Sequence, residues 1–246
     1  MTTTREVELA DALARVRERL DRAAQAAGRT TEEIELLLIT KFFPASDVLI
    51  LSHLGCHAFG ESRDQEAAAK SAECHSAEPD RPIRWHMVGR IQRNKARSIA
   101  SWAYAAHSVD SAKLLTALDR AAGGELADGL RSEPLRIYIQ VSLDGDVERG
   151  GVDIGRPDLV DELCAMAQSA DALQFVGLMG IPPLGSDPDE QYARLERELD
   201  RVQQGYQQRL GLSAGMSGDL EAAVKHGSTC VRVGTAVMGQ RPLTSP

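Results

Sequence analysis

The stretch LLLITKFFP, Leu36 to Pro44, decides the fold. A run of aliphatic residues bounded by a proline suits a strand buried on both faces, which is what a parallel sheet covered by helices requires. Pro44 cannot donate to a ladder and stops the strand. Strand candidates of this kind recur along the chain: ELLLIT (35–40), HAFGE (57–61), RWHMVG (84–89), AYAAHSV (103–109), LRIYIQVS (135–142), LQFVGLMG (173–180), LSAGMS (212–217) and CVRVGT (230–235). Helical patterns cover 45–55, 63–74, 91–101, 111–122, 156–170, 188–210 and 218–226, and a further helix over 5–27 precedes the first strand. Eight strands alternating with helices in 246 residues predict a single-domain (β/α)8 TIM barrel over 1–246, with a doubly wound open sheet as the other architecture that gives such a string.

Composition excludes several classes. With 43% hydrophobic and 26% charged residues, the chain is neither disordered nor fibrous. A net charge of −8 argues against a broad basic surface for nucleic acid or anionic lipid. Cys56, Cys74, Cys164 and Cys230 are scattered without a CxxC pair, which fits a reducing compartment. The first twenty residues have no apolar signal core, and no later run approaches the roughly 18 apolar residues of a membrane helix. A cytoplasmic protein without a membrane span is expected.

In a barrel the chemistry sits where strands end, and Lys41 stands at the end of the first. Position alone favours a solvated strand end. Burial beside Phe42 and Phe43 would instead lower the amine's proton affinity and make it a nucleophile toward an aldehyde. In GMSGDLEAAVKHGSTCVRVGTAVMG, Gly215 to Gly239, Ser217 opens a predicted short helix whose free N–H groups suit an anion, and Gly234 and Thr235 follow the last strand where many barrels bind phosphate. Ser217 as a plain N-cap, with Asp219 offsetting the dipole, accounts for the same residues. Alternation in CVRVGT turns Arg232 into the barrel if Val231 and Val233 face the helices, either as a structural ion pair or as a donor to a ligand. His86 also lies inside a strand and can point inward. A lysine beside a phosphate site suggests a phosphorylated aldehyde, of which pyridoxal phosphate (PLP) is the obvious one.

Two further clusters read as ordinary. His53, Cys56 and His57 lack a second ligand pair at zinc spacing, so no metal is expected. Arg90, Arg93, Lys95 and Arg97 resemble a phosphate patch but are more simply a solvated helix face.

ITKFFP, FGESRDQE, WHMVGRIQRNK, GLMGIPP and the Gly215–Gly239 motif closely resemble, in order and spacing, the pyridoxal phosphate homeostasis protein family, from about residue 6 to Gly239. The resemblance implies a barrel like the N-terminal domain of alanine racemase, and a Schiff base between Lys41 and PLP. It also implies that Ser217, Gly234 and Thr235 hold the phosphate, that Arg232 faces the pyridine nitrogen, and that Ser62, His86 and Met216 lie by the cofactor. Arginine cannot accept a proton, so the ring would be a weak electron sink. The function it implies is intracellular PLP homeostasis: a monomer or weak homodimer that holds the cofactor and delivers it to apo PLP-dependent enzymes, without catalysis.

The sequence departs from the family pattern at Ser62, where an asparagine is usual, and at Ser142 and Arg149, where an asparagine and a lysine are usual. Arg149 cannot form a Schiff base, which bears on any hand-off through a second lysine. The alternative is an amino-acid racemase on the same barrel. It needs a second base, and Tyr104, Tyr138, Tyr192 and Tyr206 fall within predicted strands or a long helix rather than at the pocket. A sugar-phosphate enzyme ranks last, since Glu61 is the only carboxylate candidate near Lys41.

Overall fold

The computed structural model describes residues 3–240, so residues 1–2 and 241–246 of the expected 1–246 domain lie outside the described part. The order is α1 (Thr4–Ala26), β1 (Glu35–Ile39), α2 (Ala45–His53), β2 (Ala58–Glu61), α3 (Asp64–Ala77), β3 (Arg84–Met87), α4 (Ala96–Trp102), β4 (Ala105–Val109) and α5 (Ala112–Ala127). It continues with β5 (Leu135–Ser142), β6 (Val152–Asp153), α6 (Pro157–Ser169), β7 (Leu173–Gly180), α7 (Pro188–Gln203), β8 (Gly211–Ser213), α8 (Leu220–Lys225), β9 (Cys230–Val233) and α9 (Thr235–Met238).

All pairings are parallel, and β4 pairs with β5 to close the ring, so eight strands form a (β/α)8 barrel and the open sheet is excluded. β6 is a two-residue addition beside the end of β5, outside the eight. It and the four-residue α9 were not predicted, because elements this short carry no periodicity to detect. Six of the eight predicted strands run long: the first and second by one residue, while the third stops at Met87, the fourth starts at Ala105, the seventh covers only Gly211–Ser213, and the last stops at Val233. α7 ends at Gln203 rather than 210, where the chain turns and Gly205 N–H bonds Val202 O.

The period-2 alternation sorts the strands into two faces. Leu38, Phe59, Trp85, Val231 and Val233 pack outward among the helices, whereas Leu37, Ile39, Ala58 and Cys230 form an inner cluster. α1 is capped by Thr3, whose Oγ1 accepts from Glu6 N–H in a capping box, and buries Leu9, Leu13, Val16 and Leu20 at helical spacing. It thereby covers α2, α8 and α9, the elements that flank β1 and β9. In β7, Gly177 adopts φ 154°, and a Cβ there would lie 1.9 Å from Gly211 O, so the bulge that joins β5, β7 and β8 requires glycine. All four cysteines are buried and free.

Candidate functional site

The carboxyl ends of β1 and β9 are neighbours in register, with Leu37 opposite Arg232 and Leu38 opposite Val233. Barrel closure therefore brings Lys41 beside residues almost two hundred positions away. Lys41, Ser217, Arg232, Gly234 and Thr235 line one cavity of about 520 Å³, and Met216 forms part of its rim. Its apolar wall comes from Ile39, Phe42, Phe43, Val88 and Ile181, which sequence reasoning did not assign because nothing in an aliphatic residue marks it as lining rather than core.

Lys41 is exposed at the mouth, as the solvated strand end favoured by position requires, and is not buried beside Phe42 and Phe43. It sits at the start of a turn in which Phe42 takes φ 71°, a left-handed conformation that costs a non-glycine residue about 1–2 kcal/mol. The Phe42 ring lies between two cations, 5.9 Å from Lys41 Nζ and 5.2 Å from Arg63 Cζ. Behind this turn, Lys70 Nζ donates to Thr40 O at 2.9 Å and pairs with Glu61 at 2.6 Å, while Thr40 Oγ1 donates to the same carboxylate at 2.8 Å. Glu61 thus faces outward to α3 and braces the end of β1; the carboxylate considered for catalysis is spent on this cluster. Burial pushes its pKa up despite the neighbouring ammonium.

Ser217 does not cap α8, whose N-cap is Asp219. Its Oγ instead accepts from the N–H groups of Gly234 and Ala236, both at 3.3 Å, at the start of α9. Asp219 fixes the Ser217 loop: it accepts from Met216 N–H at 2.6 Å and from the Tyr192 hydroxyl at 3.0 Å, and Tyr192 Oη accepts from Gly215 N–H. Tyr192 is fully buried in this bracing role, which its place in a helix did not reveal.

Arg232 is 5% exposed and donates to Ser213 Oγ at 2.6 Å and to Gly180 O at 3.0 Å. No carboxylate lies within ion-pair distance of it among the described residues, so the structural ion pair is not formed. A buried guanidinium with only neutral acceptors, lining a cavity, is suited to an electron-rich group in that cavity. Burial lowers its proton affinity.

Two predicted site residues are elsewhere. His86 points inward, but one layer down: it contacts His107 and lines a separate cavity at the amino-terminal mouth. Ser62 lines an adjacent cleft with Arg63, Asp64 and Arg90 rather than the Lys41 cavity. Ser142 and Arg149 both bind Asp144, at 3.0 and 3.1 Å, in the loop after β5. Arg90, Arg93 and Arg97 are exposed, whereas Lys95 is half-buried and pairs with Asp64 at 3.8 Å, so the face is only partly solvated. Among the described residues no group of three or more His, Cys, Asp or Glu side chains is placed to hold a metal, and His53 pairs with Glu78. Among them, too, no helix is long and apolar enough to cross a membrane.

Residues 12–242 match the family model for the alanine racemase N-terminal domain. A pyridoxal phosphate homeostasis protein of Mycobacterium bovis is 60% identical over 98% of this chain and 96% of its own, and that of Escherichia coli is 33% identical over 95% and 97%. Among solved structures, PipY of Synechococcus elongatus with PLP bound superposes with a TM-score of 0.77 at 33% identity, covering 94% of this chain and all of PipY. Alanine racemase of Corynebacterium glutamicum shares the fold alone, at TM-score 0.66 and 14% identity, with 98% of this chain and 62% of that enzyme covered. With its barrel, its Lys41 cavity and these relatives, the chain belongs to the pyridoxal phosphate homeostasis proteins of the alanine racemase N-terminal domain family.

Proposed function

We propose that this chain is a PLP-binding protein of intracellular PLP homeostasis, a single cofactor-binding domain that holds PLP in the Lys41 cavity and passes it to apo PLP-dependent enzymes in the cytoplasm, as a monomer or weak homodimer. The observation that carries the reading is the convergence of an exposed amine, a cluster of N–H and hydroxyl donors and an unpaired buried guanidinium on one 520 Å³ cavity. Each suits a different part of one molecule. When bound, PLP supplies an aldehyde open to attack by an amine and a phosphate ester that serves as an anionic anchor.

Each residue has a definable role. Lys41 presents the nucleophilic amine from a turn held by Phe42 and braced by Lys70. Ser217, Gly234 and Thr235 would hold the phosphate with N–H and hydroxyl donors, since Ser217 Oγ holds the Gly234 and Ala236 N–H groups only at the long distance of 3.3 Å. Arg232 would hold the ring nitrogen as a donor, and since arginine cannot accept a proton it would favour an unprotonated ring, a weak electron sink. Met216 closes the rim. Ser62 and His86 act from outside the cavity in this reading, by shaping the neighbouring cleft and the layer beneath.

The racemase alternative lacks its second base. Among the described residues no tyrosine lines the cavity: Tyr192 is engaged by Asp219 and Gly215, Tyr138 stacks on His107, Tyr104 lies at the opposite mouth, and Tyr206 packs on Phe175. The names of the relatives, homeostasis proteins rather than racemases, support the same choice.

The test is covalent trapping. The protein is incubated with PLP, reduced with borohydride, digested and mapped by mass spectrometry. One pyridoxyl group on Lys41 is expected, and none after Lys41→Ala, a surface change that leaves the fold intact. Label on another lysine, or none, overturns the assignment.

A further inference from the structure

The barrel has a second mouth, and a chain of hydrogen bonds leads to it. Arg232 donates to Ser213 Oγ; Ser213 Oγ lies 2.8 Å from His107 Nδ1; His107 Nε2 lies 2.9 Å from His86 Nδ1. Burial keeps both imidazoles neutral, His107 well below its ordinary pKa and His86 down to about 3. Arginine can only donate, so Ser213 Oγ accepts from it; we assign the Ser213 proton to His107 Nδ1, with the Cys230 thiol as the other neighbour of that oxygen. His107 then carries its hydrogen on Nε2 and gives it to His86 Nδ1, which leaves the His86 hydrogen on Nε2. That atom is buried in a side chain 2% exposed and has no hydrogen-bond partner. Glu35 Oε2, at 3.8 Å, is too far to accept.

His86 lines a cavity of about 340 Å³ at the amino-terminal ends of the strands. Three arginines share it: Arg84, Arg136 and Arg209. Arg84 is taken by Glu35 at 2.7 Å, and Glu33, also in the lining, bonds Arg29 at 3.3 Å. Arg136 bonds the neutral Gln174 and stacks on Tyr104, and among the described residues neither it nor Arg209 has a carboxylate within ion-pair distance. Tyr138, Val176 and Leu210 complete an apolar wall.

We propose that this lower cavity is a second ligand site, taking a small organic carboxylate whose oxygens accept from His86 Nε2–H and from Arg136 and Arg209, with its hydrocarbon body against Tyr138, Val176 and Leu210. A carboxylate matches the planar guanidinium forks, and its body uses an apolar wall that inorganic phosphate leaves bare. The inference is independent of the Lys41 reading and is tested without PLP.

In apo protein carrying 15N-histidine, the imidazole correlations are followed while butyrate, or in a separate arm inorganic phosphate, is added at constant ionic strength. Butyrate is expected to shift the His86 Nε2–H signal saturably, and Arg136→Gln/Arg209→Gln to weaken binding at least about tenfold, the loss of one or two charge-assisted bonds. Exposed Arg209→Gln alone serves if the double variant fails to fold. No saturable shift at His86, an equal shift in the variant, or tighter binding of phosphate than of butyrate overturns the proposal.

Discussion

Lys70→Met isolates the cluster that braces Lys41. Glu61 is fully buried and Lys70 nearly so, and the methionine fills the lysine stem's volume without its charge. Glu61 then loses the ammonium at 2.6 Å and keeps only Thr40 Oγ1, while Thr40 O loses a donor. Breaking one side of a buried pair costs about 3–5 kcal/mol. In a chain of this size each kcal/mol moves Tm by about 2–4 °C, so a drop of roughly 6–20 °C is expected. Glu61→Gln alone strands the Lys70 ammonium instead, but the amide oxygen still accepts from Nζ and the flexible stem can carry the charge toward water, so the cost should be smaller. The double variant, Glu61→Gln with Lys70→Met, should regain much of the loss. The penalty also depends on pH. Burial raises the Glu61 pKa in the fold above its unfolded value, so its favourable balance is present below the unfolded pKa and lost as pH rises through the folded one. Removing Lys70 raises the folded pKa further. Lys70→Met should therefore be most destabilising at pH 8 and less so near pH 5. Urea denaturation of the four proteins at both pH values measures this cycle. Equal losses in Lys70→Met and the double variant, or a penalty independent of pH, would refute the buried-pair argument.

Other outcomes follow from single contacts. Ser217→Ala removes the acceptor for Gly234 and Ala236 N–H and should cost about 0.5–1 kcal/mol of stability, with faster PLP loss on dialysis than wild type. Gly177→Ala drives a methyl into Gly211 O and should lower stability by about 3 kcal/mol or more in urea titrations, since neither backbone can yield. His86 and His107 are buried neutral with folded pKa values below the unfolded one, so the stability they contribute is present above the unfolded value of about 6.5 and is lost as pH falls toward the depressed values. Between pH 6.5 and 5 the urea-derived stability should fall by up to about 1.4 kcal/mol per pH unit for each imidazole, and by less in His86→Gln.

Much of this architecture was readable before any coordinates. The eight strands show as aliphatic or alternating runs, and the alternation in CVRVGT turned Arg232 inward as expected, with Val231 and Val233 among the helices. The pairing of Lys41 with Ser217, Arg232, Gly234 and Thr235 followed from barrel closure and the family motifs. His86 shows where such reading ends. Alternation gives the face on which a strand residue lies but not its depth along the axis, because depth depends on strand stagger, which no local pattern encodes. His86 therefore pointed inward as read, yet a layer too low for the Lys41 cavity.

Local sequence determined the elements, their order and the inward or outward sense of each side chain, because backbone sterics and burial act within a few residues. Only the closed barrel decided that Ser217 serves α9 rather than α8, that Lys70 and Glu61 brace the turn before Lys41, and that Arg232 has no carboxylate partner. These depend on contacts between residues 9 to 52 positions apart, on different elements, which no local pattern of the sequence encodes.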